Sequence, residues 1–277
     1  MMLSGHARLA GVIGWPVAHS RSPRLHGTWL ARHGIDGAYL PLPVRPEDFS
    51  ACVMALVRMG FAGANVTIPH KEAAFAVCDT LEDSARRAGA VNTLVFGEDG
   101  AIRGANTDGA GFLANLRAHG VDPAAGPALV LGAGGAARAI GAALADASAK
   151  VTFCNRTRDR AATLAAELSV GTLDWEQRHA ALADHALVVN TTSLGMVGHA
   201  TLDLSLDRAA PGLAVADIVY VPLETPLLAE AASRGLKTVE GLGMLLHQAV
   251  PGFTAWFGVT PVVDVDLYRS VAADLLS

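Results

Sequence analysis

What this chain is short of narrows it first. Only 17% of its 277 residues are charged, and the net charge at pH 7 is −5. No basic block stands out, so nothing marks a surface for nucleic acid. No apolar run reaches the ~18 residues that cross a bilayer. Residues 1–10 hold His6 and Arg8 with no hydrophobic core of signal-peptide length behind them, so a cytoplasmic protein is expected. Cysteine is scarce. Cys52, Cys78 and Cys154 are odd in number, widely spaced and without a CxxC pair, which predicts buried, reduced thiols. The ten histidines lack a ligand spacing such as HExxH, so no metal is expected. Internal repeats and low-complexity tracts are absent.

The 51% hydrophobic fraction implies a substantial core, and 277 residues suit one large domain or two ordinary ones. Apolar runs alternate with helical patterns from end to end, which predicts an α/β protein with mainly parallel strands. Strands are expected over 9–13, 39–44, within 63–71 (closed by Pro69), and over 93–96, 102–105, 128–131, 150–155, 187–190 and 215–219. Helices are expected from Ser22 through Arg32, over 47–59, 82–88 and 158–168, from Asn106-Thr-Asp-Gly109 to His119, and beyond Gly241. Gly97-Glu-Asp-Gly100 is the best hairpin signal. Residues 120–127 read as a linker. Ser22 before Pro23 reads as a helix N-cap, whereas Ser20 has no comparable structural duty.

The middle of the chain carries the clearest motif. Ala128-Leu-Val-Leu131 runs into Gly132-Ala-Gly-Gly-Ala-Ala137 and then an alanine-rich helix. Such glycines let a backbone turn sharply beside a pyrophosphate, whose charge meets unpaired N–H groups at the helix start. In a Rossmann unit the next strand usually ends in a carboxylate that holds the adenosine ribose. Here it ends in Asn155-Arg-Thr-Arg-Asp-Arg160. Guanidinium groups pair with a 2′-phosphate that a carboxylate would repel, so NADP is expected rather than NAD. Because about 125 residues of separate α/β pattern precede the glycines, the front half is expected to be a domain of its own that holds the substrate.

A nicotinamide enzyme that reduces a carbonyl needs an acid beside the developing alkoxide. Lys71 and Asp108 follow expected strand ends, where α/β sheets build their sites. From composition alone, the readings of Lys71 as an ordinary exposed lysine and Asp108 as a helix N-cap would win. Ser20, Ser22, Thr67, Asn92 and Asn106 supply short hydrogen-bonding side chains at loop positions, a lining suited to a small polyhydroxy substrate.

Taken in order, these motifs resemble the shikimate dehydrogenase family over nearly the whole chain. They are Gly14-x-Pro16 with His19-Ser-x-Ser-Pro23, Asn65-Val-Thr-Ile-Pro-His-Lys71, Gly89-Ala-Val-Asn-Thr93 and Asn106-Thr-Asp-Gly109. The glycine loop, Asn155-Arg-Thr157, Asn190-Thr-Thr-Ser193, Tyr220-x-Pro222 and Gly241-Leu-Gly-Met244 with Gln248 follow. The resemblance implies an NADP-dependent oxidoreductase that interconverts shikimate and 3-dehydroshikimate on the route to chorismate and aromatic amino acids. It makes Lys71 and Asp108 the catalytic pair. Ser20 and Ser22 would hold the substrate carboxylate, Thr67, Asn92, Asp108 and Gln248 its hydroxyls, and Tyr220 would sit at the same pocket. Gly132, Ala133, Gly134, Gly135, Ala136, Asn155, Arg156, Thr157, Arg160, Thr191 and Gly241 would bind the cofactor.

The implied fold is two α/β domains flanking a cleft. A substrate domain of 1–108 is completed by helices in 243–277, and 109–242 form a Rossmann-type NADP domain. A homodimer without nucleic-acid or membrane partners is expected. Trp15 stands where the family often has a small polar residue, and His247 where an apolar or aromatic one is usual. Both bear on the pocket rim and substrate range. A relative acting on quinate with NAD and a non-catalytic NADP-binding protein on the same fold are the competing readings. Asn155-Arg-Thr157 speaks against the first, and the retained Lys71 and Asp108 against the second.

Overall fold

Short apolar runs spaced by helices fold into two six-stranded sheets in the computed structural model, which describes residues 3–275. The chain forms two compact units, Met1–Thr107 with Gln248–Ser277, and Asp108–His247. Residues 1, 2, 276 and 277 of the expected domain bounds lie outside the described residues.

In the first unit the elements run β1 (Arg8–Gly14), α1 (Ser22–Arg32), β2 (Gly37–Pro43), α2 (Phe49–Arg58), β3 (Gly63–Val66) and α3 (Lys71–Ala76). They continue with β4 (Thr80–Leu81), α4 (Asp83–Ala88), β5 (Thr93–Phe96) and β6 (Ile102–Ala105). The sheet order is β2-β1-β3-β5-β6-β4. Strand β1 runs parallel to β2 and β3, whereas β5 is antiparallel to both β3 and β6. The five residues 97–101 are too few for a crossover helix, so β5 and β6 pair as the expected hairpin. One face of the sheet buries Phe49, Val53, Val66, Val91 and Leu94. An aromatic group forms where Trp29, Tyr39, Phe253 and Trp256 surround His26, all buried.

The second unit holds α5 (Asp108–Ala118), β7 (Ala128–Leu131), α6 (Gly135–Asp146), β8 (Val151–Cys154), α7 (Arg158–Leu168), β9 (Gly171–Leu173) and α8 (Arg178–Ala181). Then come β10 (Leu187–Asn190), β11 (Ala214–Asp217), α9 (Pro226–Ser233), β12 (Lys237–Val239) and α10 (Gly241–Phe257); α10 carries the chain back to the first unit's α11 (Val265–Ala272). All its strand pairs are parallel, in the order β12-β11-β10-β7-β8-β9. That is the doubly wound dinucleotide order, with its switch point between β7 and β10. Fully buried Leu129, Val130, Leu131, Val188 and Val189 explain why these strands read as unbroken apolar runs.

Several expectations change. The strand expected within 63–71 ends at Val66, three residues before Pro69. The helix expected over 47–59 opens as a 3₁₀ turn, Pro46–Asp48. Ser22 is not an N-cap: α1 starts at Ser22, the cap is Arg21, and no side chain caps the helix. Ser20 instead has the local duty, since its Oγ accepts the Ser22 N–H at 3.3 Å. Cys52, Cys78 and Cys154 are thiols, but only Cys154 is buried, Cys52 and Cys78 being half-buried; desolvation pushes the thiols of Cys78 and Cys154 up to about 11. Among the described residues no helix is long and apolar enough to cross a membrane.

Candidate functional site

The register of the first sheet gathers one set of side chains. Ile13 at the end of β1 lies opposite Val66 at the end of β3, so the loops after both strands leave from the same edge. Those loops carry Ser20, Ser22, Thr67 and Lys71. Because β5 runs the other way, its beginning lies at that same edge, with Asn65 opposite Thr93. Asn92 therefore arrives beside Val66, whose N–H it accepts at 2.8 Å through its carbonyl. Strand β6 ends opposite Thr93, which brings Asn106 and Thr107 to the same place. Thr107 N–H donates to Asn92 Oδ1 at 2.9 Å, and Thr107 Oγ1 reaches Gln248 Oε1 at 3.3 Å. Ser22, Asn92, Thr107 and Gln248 are all buried, as is Asp108, which opens α5 directly after Thr107.

Local bonds hold this edge in shape. The Lys71 carbonyl accepts from Val91 N–H at 2.9 Å, which ties the start of α3 to the segment that leads into β5. His70 bonds Val44 O through Nε2 at 2.8 Å and stacks on Phe49 at 4.8 Å. Asn106 is anchored through Nδ2 to Ala90 O at 3.0 Å. The arginine between the two serines turns away from them. Arg21 donates to Val271 O at 2.8 Å and binds both carboxylate oxygens of Asp274, at 2.7 and 2.9 Å. Any anion at this loop thus meets hydroxyls and helix-start N–H groups rather than that guanidinium. Trp15 is exposed, with the Arg45 guanidinium 5.6 Å from its ring centre.

The second sheet supplies an edge of different make. A cavity of about 250 Å³ lies at the carboxyl ends of its strands, lined by Gly132, Ala133, Gly134, Asn155, Arg156, Arg160, Trp175 and residues 191–194. Gly132 has φ +119°, and a Cβ there would lie 2.5 Å from Thr191 Oγ1, so only glycine fits this turn. A Cβ on Gly134 or Gly135 would meet nothing, which leaves the backbone N–H groups of the α6 start open to a ligand. Thr191 is fixed by its Oγ1, which donates to Leu131 O at 2.6 Å.

Of the three expected arginines, Arg156 and Arg160 line the cavity. Arg158 leaves it to pair with Asp174 at 3.0 Å. Asn155 closes its own turn by donating to Thr157 O at 2.9 Å. Thr157 caps α7 outside the cavity lining, Ala136 lies inside the first turn of α6, and Gly241 opens α10. A Cβ on Gly241 would lie 2.5 Å from Ile218 O, so its backbone packs on the β11 end. Tyr220 follows that strand, next to the cis Val221–Pro222 bond.

Sequence reasoning missed Trp175. It reaches the cavity because a three-residue strand, β9, ends just before it, and Arg178 stacks on it at 4.5 Å from the ring centre. Arg178 is itself held by Trp175 O at 2.7 Å and by Asp203 Oδ2 at 2.6 Å. An indole with an arginine on one face is a platform for a flat aromatic ring on the other. The residues present thus fit a phosphorylated adenine dinucleotide: an open glycine cradle, two guanidinium groups and an aromatic wall.

Fold and edges together define a two-domain α/β protein of the nicotinamide-dinucleotide class, with a polar lining for a small ligand in its first unit. A family model described as "Shikimate dehydrogenase substrate binding domain" matches residues 12–94, and one described as "Shikimate / quinate 5-dehydrogenase" matches residues 118–218. The chain is 78% identical over 276 residues to the shikimate dehydrogenase (NADP(+)) of Acidiphilium cryptum, with 100% of both chains covered. Shikimate 5-dehydrogenase from Thermus thermophilus, solved in complex with NADP(H) and shikimate, is 38% identical with TM-score 0.87, covering 97% of this chain and 99% of that one. Ligand-free 5-ketofructose reductase of a Gluconobacter strain is 31% identical with TM-score 0.91, covering 98% of this chain and 100% of that one. The chain belongs to the shikimate dehydrogenase family.

Proposed function

We propose that this chain is an NADP-dependent shikimate dehydrogenase, interconverting shikimate and 3-dehydroshikimate in the pathway to chorismate and aromatic amino acids. The observation that carries the reading is the edge of the first sheet, where Ser20, Ser22, Thr67, Lys71, Asn92 and Gln248 come from separate segments to one place. In this reading 1–108 with 243–277 bind substrate and 109–242 bind NADP.

Ser20 and Ser22 receive the substrate carboxylate. Ser20 Oγ accepts the Ser22 N–H, and its own O–H remains a donor for the carboxylate. Thr67, Asn92, Asp108 and Gln248 take the ring hydroxyls, and Tyr220 borders the same ligand. Gly132 to Ala136 face the pyrophosphate; Asn155, Arg156, Thr157 and Arg160 face the adenosine phosphate, and Thr191 and Gly241 complete the cofactor side. Trp175 stacks on the adenine. The nicotinamide, when bound, supplies the hydride acceptor. Lys71 holds a proton at the substrate 3-oxygen: its amine takes it during oxidation, and its ammonium returns it as alkoxide charge develops during reduction. Asp108 orients that ammonium.

The test follows absorbance at the reduced-nicotinamide band while crossing shikimate and quinate with NADP and NAD. Turnover is expected with shikimate and NADP. A purified, folded chain that turns over only quinate with NAD, or only 5-ketofructose, overturns the proposal. We also propose a cytoplasmic homodimer; light scattering on the purified chain and fractionation of the source cells test the two halves of that statement.

A further inference from the structure

Behind the substrate edge lies a buried chain of hydrogen bonds, ending on Asn92, whose members Tyr39, Asn65 and Thr93 neither the catalytic nor the contact assignments use. Tyr39 Oη donates to Asn65 Oδ1 at 2.6 Å. Asn65 Nδ2 donates onward to Thr93 Oγ1 at 3.1 Å and to Asn92 O at 3.2 Å. Thr93 Oγ1, having accepted, donates to Asn92 Oδ1 at 2.9 Å. Thr107 adds its N–H to the same oxygen at 2.9 Å. Every one of these side chains is buried, so an unmade bond would be left without solvent.

The chain has a single direction. Asn65 uses its nitrogen toward Thr93 and Asn92, so it meets Tyr39 through its oxygen, and the phenol must donate. Donor follows donor until the run ends on Asn92 Oδ1. The ring of His26 lies flat on Tyr39, 3.9 Å between centres and 4° between planes, and braces the phenol.

An asparagine amide looks nearly the same when flipped end for end, and only its bonds decide which end is oxygen. With Oδ1 held by Thr93 Oγ1, by Thr107 N–H and, at 3.1 Å, by Thr107 Oγ1, Asn92 addresses a ligand through its nitrogen, as a donor. We infer that Thr93, backed by Asn65 and Tyr39, is a positioning residue that sets the polarity of the Asn92 amide. The substrate hydroxyl read there is thereby required to accept a hydrogen bond. The inference rests on Asn92 touching substrate, as proposed above.

The experiment is a double-mutant cycle on KM for shikimate, with melting temperature as the folding control. Thr93→Val keeps the shape and removes the donor. It is expected to raise KM for shikimate about tenfold, leave KM for NADP within twofold, and be rescued by Thr93→Ser. In an Asn92→Ala background the same Thr93→Val change is expected to alter KM less than twofold, because its action passes through Asn92. Full additivity of the two changes, failure of serine to rescue, or an unchanged KM in Thr93→Val while Asn92→Ala is impaired overturns the inference alone. An unchanged KM in Asn92→Ala overturns the contact assignment and the inference with it. If Thr93→Val does not fold, Tyr39→Phe, which removes the donor two links back, runs the same cycle.

Discussion

At the carboxyl edge of the first sheet the working surface is made of side chains, and at the same edge of the second it is largely backbone. The first presents Ser22, Asn92 and Gln248, buried and hydrogen-bonded to one another's neighbours. The second presents the N–H groups of a glycine turn, with Arg156 and Arg160 exposed beside them. On the proposed assignment, the contrast follows from what each edge would recognise. A small polyhydroxy acid differs from its analogues by single hydroxyls, and only preset donors and acceptors register that difference. A dinucleotide offers charge and length, so a helix start and two cations suffice, and their exposure costs little.

The comparison can be broken at its strongest point. Lys71→Ala should lower kcat by roughly 10²–10⁴-fold with little change in the affinity for shikimate, the usual loss on removing a general acid or base. Near-normal turnover would show that the proton is handled elsewhere. Arg156→Ala should raise KM for NADP about 10–100-fold, the weight of a charge-assisted hydrogen bond, and leave KM for NAD alone. An equal rise with both cofactors would mean that the 2′-phosphate is not read at this side chain.

Two smaller effects sharpen the same contrast within the second unit. Gly132→Ala forces a left-handed turn and a Cβ against Thr191, a strain of about 1–3 kcal/mol. A cofactor-free melting point several degrees lower is expected, with weaker NADP binding. No change in either would show that the turn is not sterically bound to glycine. The smallest effect concerns Asp217, which accepts bonds from Asn190 Nδ2, Val219 N–H and Thr225 Oγ1, at 3.0, 3.0 and 2.8 Å. Burial outweighs those bonds and pushes its carboxyl up from 3.8 to about 6. The fold therefore favours the protonated acid. The stability this confers is complete below pH 3.8 and is lost as pH rises through 6. Asp217→Asn puts a non-titrating amide in that place and should flatten the decline of melting temperature between pH 4 and 6 relative to the parent chain. A parallel decline in both proteins would sink the assignment.

Much of this architecture was legible in the chain because its signals are local. The hairpin arms at 93–96 and 102–105 and the helix at 158–168 match their observed bounds, since turn glycines and helix periodicity act over a few residues. The strands β4, β9 and β12, of two, three and three residues, gave no periodicity to detect, and pairing with a neighbour is what makes them strands. Trp175 was overlooked for that reason, because its place depends on β9. Arg158 could not be told from Arg156 and Arg160 until Asp174 was in position to pair with it.

Residue type and spacing alone were enough for the α/β class, the glycine turn at Gly132 and NADP as the cofactor. Each depends on backbone freedom, apolar periodicity or charge carried by neighbouring residues. The antiparallel entry of β5, the turning away of Arg21 from the serines and the one-way hydrogen-bond run into Asn92 emerge only on folding. Tyr39 meets Asn65 from 26 positions away and Arg21 meets Asp274 from 253, and strand register and helix packing set both meetings.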